Sequence, residues 1–219
     1  MGELLARVVP LALGAAVSPA VLTVGVLILS SPRRPVARGV AFTVGTITVL
    51  LGLTALGLLV LDRFATHHAN ATERAVTDAV DVTLGIVLLA LALRTALRPH
   101  DPTAEHEPRQ PRDHGGLATA YVLGIVMMVT NLSTIVLYLA AMKTIGRADV
   151  SDVDQVVALV VVLLITSLPA TLPLLLRVIV PEPSQRVLAK LDAAMTRHRR
   201  VIMVAVEVVF GVYLLVKGI

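Results

Sequence analysis

No cysteine occurs in the chain, which excludes disulfides, iron–sulfur clusters and thiolate metal sites. Tryptophan is also absent and aromatic residues make up 3%, so an aromatic belt at a membrane interface has little to be built from. Charge is scarce too: Asp, Glu, Lys and Arg account for 16% of 219 residues, against roughly 25% in soluble domains. What remains is apolar. The apolar share is 56% and the mean hydropathy +0.85, more apolar surface than one compact domain hides behind a polar exterior. That balance argues against a water-soluble enzyme. The formal charge of +4, with an isoelectric point near 10.0, reads in such a chain as basic connections on one side of a membrane. No nucleic-acid partner is expected.

A helix crossing the hydrocarbon core needs about 20 mostly apolar residues. Six stretches meet or approach that length: Leu4–Leu29, Val36–Leu61, Ala75–Leu93, Leu117–Met142, Val153–Val180 and Val201–Val216. The first resembles a signal peptide at its start, but its apolar run continues to Leu29, too long for a cleaved signal. Lys and Arg divide unequally between the two sets of connections. Arg33, Arg34, Arg38, Arg94, Arg98, Arg109, Arg112, Arg177, Arg186, Lys190, Arg197, Arg199 and Arg200 fall on one side, and Arg7, Arg63, Arg74, Lys143, Arg147 and Lys217 on the other. The richer side is expected to be cytoplasmic, which puts both termini outside. Residues 98–116, rich in Pro, charge and His, read as a cytoplasmic linker between two halves, 1–97 and 117–219. Ser184–Arg200 places Val187, Leu188, Leu191, Ala194 and Met195 at helical spacing among basic residues. It reads as an amphipathic segment on the inner membrane surface, or else as a plain solvated linker.

The halves echo each other. Asp81-Val-Thr-Leu-Gly-Ile-Val-Leu-Leu aligns with Glu207-Val-Val-Phe-Gly-Val-Tyr-Leu-Leu at an offset of 126, pairing the acids and pairing Gly85 with Gly211. More weakly, Ser18-Pro19 aligns with Asn131-Leu132 at an offset of 113. A repeat of three spans is odd-numbered, so its second copy enters the membrane upside down, as in many secondary transporters. The expected fold is an all-α integral membrane protein, six transmembrane helices arranged as two inverted three-helix repeats. Chance similarity between apolar helices is the alternative.

Polar residues inside the spans are the candidate site. Ser18-Pro19 interrupts the first span, and proline frees the carbonyl one turn earlier. Thr130-Asn131-Leu132-Ser133-Thr134 interrupts the fourth at the matching place. Such matched interruptions mark a binding site at a repeat interface, or else hydrogen-bonding contacts between helices. Ser18, Pro19, Thr130, Asn131 and Ser133 are therefore candidates for a substrate path. Asp81 and Glu207 lie about six residues, roughly 9 Å, inside their spans. An acid there faces a cavity or a partner. Coupling or headgroup contact is one role; reaching an interfacial Arg such as Arg74 or Arg200 is the other. Pro169 and Pro173 distort one face of the fifth span and make it a hinge candidate. Ala37, Ala41 and Gly45 form a small-residue stripe suited to close packing, and such stripes permit a homodimer. His100, His106 and His114 share a connection with several acids, but their irregular spacing suits a polar loop better than a metal site. No nucleophile–base motif or phosphate loop is present, so no catalytic residue, cofactor or metal is expected.

Leu13-Gly14-Ala15-Ala16-Val17-Ser18-Pro19, the run Leu27-Ile28-Leu29-Ser30-Ser31 before an Arg-rich turn, and Thr130-Asn131-Leu132-Ser133-Thr134 leading into Ala140-Ala141-Met142 resemble the GAP family, the sulfolipid-1-addressing proteins, within the LysE-type exporters. The resemblance covers the whole six-span layout. It implies an actinobacterial plasma-membrane protein that moves envelope glycolipids, alone or with envelope-lipid export machinery, while the wider superfamily exports amino acids and metal cations. In helix four the family's Asn-Pro is Asn131-Leu132 here, a departure that removes the proline expected to break that helix. The leading expectation is export of a lipid or lipid-linked envelope precursor, with a membrane lipid as substrate. The alternatives are a proton-coupled exporter of amino acids or cations, and a non-transporting scaffold for a larger lipid-export complex.

Overall fold

The computed structural model describes residues 1–31, 33–65, 71–97, 116–179, 190 and 193–218. Among the described residues the secondary structure is helical and no strand occurs. The helices are α1 (Gly2–Ala16), α2 (Pro19–Leu29), α3 (Pro35–Ala65), α4 (Ala71–Leu97), α5 (Leu117–Val129), α6 (Leu132–Gly146), α7 (Asp152–Ile179) and α8 (Arg199–Gly218). Four of them, α3, α4, α7 and α8, are each long and apolar enough to cross a membrane. Their outward faces fit hydrocarbon: Leu93, Leu164 and Val209 are all well exposed. The expected spans Leu4–Leu29 and Leu117–Met142 are not single helices. Each is a bent pair, α1 with α2 at 57° and α5 with α6 at 72°, and the spans number six if each pair is counted once.

Local chemistry explains both breaks. Pro19 has no N–H to continue α1, and it occupies the first position of α2, where a missing donor is harmless. Ser18 sits before it with extended φ of −133°, and its Oγ accepts from Val21 N at 3.4 Å. The second break forms without proline and is the sharper of the two. Thr130 and Asn131 have short polar side chains that compete with helix hydrogen bonding. Thr130 donates from Oγ1 to the Val126 carbonyl at 2.7 Å, and Asn131 leaves the helical region at ψ 74°. The Asn131 amide does not cap α6; it reaches across to the first break instead.

The most extensive packing runs between the two halves of the chain, α4 on α8 and α3 on α5, with α1 against both α6 and α7. Helices α4 and α8 run antiparallel, with residues 78–96 of α4 alongside 200–218 of α8. Arg200 at one end donates to the Ala96 carbonyl, and a Cβ on Gly218 at the other would lie 2.8 Å from the Asp78 carbonyl. Between them, a Cβ on Gly85 would lie 2.9 Å from the Gly211 carbonyl, and one on Gly211 would lie 3.2 Å from that of Gly85. The glycines shared by the two sequence motifs thus meet where their helices cross.

The α3–α5 contact is closer still. A Cβ on Gly45 would collide with the Tyr121 carbonyl, and one on Gly124 with the Phe42 carbonyl. Of the expected small-residue stripe, only Gly45 is buried in this contact; Ala37 is exposed, because the first turn of α3 turns that side outward. Gly124→Ala is expected to force the helices apart and lower stability by about 1–3 kcal/mol, the usual range for overpacking. Gly52→Ala, at a position open on all sides, is the control and should leave thermal unfolding in detergent unchanged. Equal melting of the two variants would refute the close approach.

Helix α7 is unbroken despite Pro169 and Pro173, both buried within it. Thr43 of α3 donates from Oγ1 to the Ala170 carbonyl beside Pro169 at 3.1 Å. Residues 98–115 of the linker, with His100, His106 and His114, lie outside the described residues, as do 184–189, 191 and 192 of the amphipathic segment. Of its described residues, 190 and 193–197 are helical, His198 is a turn, and 199–200 begin α8.

Candidate functional site

The two breaks are joined to each other. Asn131 donates from Nδ2 to Ser18 Oγ at 2.7 Å, linking the kink of one half to the kink of the other. Beside it, Thr134 donates from Oγ1 to the Ala15 carbonyl at 2.9 Å. Ala15 stands four residues before Pro19, so its carbonyl is the one that a proline at 19 leaves without an intrahelical donor. In hydrocarbon such a group is costly unless another element supplies a donor. Residues from the first turn of α6 therefore satisfy the backbone of the first break. Interhelical polar bonds of this kind contribute about 1 kcal/mol each in membrane bundles.

Glu207 completes the cluster from α8. It is 2% exposed, and its Oε1 accepts from Ser133 Oγ at 2.5 Å, while Oε2 is buried with no hydrogen-bond partner. Ser133 precedes Thr134, so one turn of α6 contacts both the carboxyl of α8 and the freed carbonyl of α1. Ser18, Asn131, Thr134, Ser133 and Glu207 thus form a polar patch where α1, α2, α6 and α8 meet. Thr166 of α7, also buried, has a hydroxyl without a partner. An arrangement of this sort offers acceptors and movable backbone, not a nucleophile with a base.

The structure does not bring every candidate together. Thr130 is exposed and its hydroxyl turns back onto its own helix. Pro19 contributes through its missing N–H, and Pro169 and Pro173 lie in α7 along the α2 and α3 contacts. Asp81 sits apart from the patch. It is 3% exposed, and its carboxylate meets Lys143 Nζ at 2.8 Å and Lys217 Nζ at 3.9 Å. The two acids lie on opposite sides of the Gly85–Gly211 crossing, each four residues from it.

Glu207 does not pair with Arg200, which is committed to the Ala96 carbonyl about two turns away along α8. Asp81 is met by lysines from the ends of α6 and α8, and the Arg74 side chain lies outside the described residues. The signal for that pairing was the charge distribution itself, since Lys143 and Lys217 belong to the small basic set at the Asp81 end of the chain. Among the described residues no group of three or more His, Cys, Asp or Glu is placed to hold a metal ion.

No curated protein and no solved structure matches the chain. A family model does, over residues 8–219, a range that includes every residue of the polar patch and both acids. Apolar helices of spanning length and this match together describe a membrane protein linked to lipid export. The chain belongs to the Sap family, the sulfolipid-1-addressing proteins.

Proposed function

We propose that this protein transports a lipid or lipid-linked envelope precursor across the plasma membrane, and that rearrangement of the two joined breaks opens its path. The observation carrying this reading is the Asn131–Ser18 bond between two bent helix pairs, with the half-satisfied carboxyl of Glu207 beside it. Broken helices at matched places are how transporters expose polar backbone to a passenger. The packing favours an inverted repeat for the same reason. Helix α3 lies on α5 as α7 lies on α1, α2 touches α7 as α6 touches α3, and α4 meets its counterpart α8 at paired glycines. In this reading Ser18, Asn131 and Ser133 line the path, α7 bends at Pro169 and Pro173, and the Arg-rich connections face the cytoplasm with both termini outside. No bond-making chemistry is invoked. Kinship with the LysE-type exporters belongs to the same proposal.

One observation favours a second reading. The unfilled acceptor on Glu207 suits a proton or a cationic passenger, so a proton-coupled exporter of amino acids or cations is the rival. Reconstitution separates them. Full-length protein in liposomes is expected to accelerate transbilayer movement of a fluorescent phospholipid over protein-free vesicles. Proton-coupled flux of a small solute without lipid movement would replace the first reading with the second. Cells lacking the protein are likewise expected to retain an envelope lipid in the inner leaflet.

A further inference from the structure

Arg38 is counted with the basic connections when the sequence is read, yet it lies inside α3 and is 7% exposed, with its Nε buried and lacking any hydrogen-bond partner. A guanidinium does not shed its proton, so its charge stays. Nothing among the described residues balances it. Helix α3 packs on α2, α5, α6 and α7. Of these, α2, α5 and α6 contain no Asp or Glu. Helix α7 has Asp152 and Asp154 in its first turn, but the residue next to Arg38, Gly39, faces Leu174 near the last. The nearest acid on α3 itself is Asp62, 24 residues on, roughly 36 Å along the axis. A buried charge left in this state is costly unless an anion meets it.

The surroundings specify which anion. Arg38 is the fourth residue of α3, and helical side chains lean toward the N-terminus. There the first-turn N–H groups of Val36 and Ala37 have no intrahelical acceptor, since Arg38 N is the donor that bonds back to Arg34. A helix N-terminus with a converging guanidinium suits a tetrahedral oxyanion. Arg33 and Arg34 are exposed just before it, and Arg177 lies in the last turn of α7 on the same side. The flanking residues Val36 and Val40 are exposed and apolar, as hydrocarbon contact requires.

We propose that Arg38 and the first turn of α3 bind the phosphate or sulfate of an anionic lipid headgroup at the Arg-rich end of the bundle. The site needs no transport activity, and its failure would leave the proposed function standing.

Thermal unfolding of the purified full chain in a non-ionic detergent tests it, with dioleoyl phosphatidic acid, dioleoylglycerol and inorganic phosphate as probes. Phosphatidic acid is expected to raise the melting temperature and dioleoylglycerol to leave it unchanged. An equal rise with inorganic phosphate alone would overturn the lipid assignment in favour of a free-anion site. Arg38→Met is expected to need about tenfold more phosphatidic acid, or to lose the response, as deleting a charge-assisted contact does. Without lipid it should melt no lower than the parent, because it removes a cation that no acid among the described residues meets. An unchanged response, or a lower melting point without lipid, would overturn the proposal. Should that variant fail to fold, Arg38→Lys decides: it keeps the charge but not the planar fork, so a weakened response supports the site and an unaltered one refutes it.

Discussion

Asp81→Ala is expected to destabilise the protein by about 3 kcal/mol, because it takes away the carboxylate that meets the largely buried ammonium of Lys143. Lys143 has a side chain 13% exposed and lies 2.8 Å from that carboxylate; Lys217 approaches its other oxygen at 3.9 Å. Arg147 is also near enough to repel Lys143, so without Asp81 three like charges gather at one end of α6. Lys217 is 35% exposed and hydrogen-bonds Thr144 Oγ1 at 3.3 Å, which lets it turn toward water; Lys143 has less room. A loss of that size would lower the melting temperature in detergent by roughly 5–10 °C. Asp81→Leu combined with Lys143→Met is expected to recover most of it, since an apolar pair of similar volume often replaces a buried ion pair without penalty. Unchanged melting of Asp81→Ala would remove the ion pair from the account. The double variant also separates two roles for Asp81. Stable protein with normal lipid movement makes the acid structural; stable protein without it makes the acid part of the transport cycle.

How far the sequence leads depends on what each interaction requires. Span positions are legible because an apolar run of spanning length has few other uses, and each of the six begins and ends within a few residues of a helix end. The first break is legible because proline carries its effect in its own backbone. The second is not read so directly. It depends on Asn131 forsaking its own helix for Ser18, 113 residues away, a preference that local propensity does not encode. The pairing of Asp81 with Lys143 is hidden for the same reason: it depends on which helix ends meet, and that follows from packing. Arg38 illustrates the opposite failure. Its place beside Arg33 and Arg34 suggests a solvated turn, although the expected span Val36–Leu61 already contains it; α3 starts at Pro35, and Arg38 in its first turn is buried against the bundle.

The matched acids prove chemically unlike. Asp81 is held between two ammonium groups, while Glu207 is met only by a hydroxyl and keeps one oxygen without a partner. Equal positions in two similar motifs thus end in one carboxyl that is ion-paired and one that is met only by a hydroxyl. An acid with no cation beside it in a membrane interior is the one to suspect of a functional role. That contrast, absent from the sequence, moves the weight of the site to Glu207 and to the break beside it.

Glu207→Gln tests that shift directly. Glutamine keeps the volume and an oxygen for the Ser133 hydroxyl, so folding should persist, with melting within a few degrees of the parent. What it removes is the acid itself. If the residue couples or contacts a passenger, lipid movement in liposomes is expected to fall about tenfold or more, the scale of a lost charge-assisted hydrogen bond. Asn131→Ala cuts the bond to Ser18 and is expected to cost about 1 kcal/mol of stability together with a smaller loss of transport. Because one turn of α6 links Asn131, Ser133 and Thr134 to both partners, the two changes act on the same element. Their combined effect on transport should fall short of the product of the single effects, as expected for residues in one network. Independent effects would separate Glu207 from the breaks. Normal envelope-lipid export in cells carrying the Glu207→Gln, Asn131→Ala double variant, together with no lipid movement by the parent chain in liposomes, would rule out both transport readings and favour a membrane scaffold.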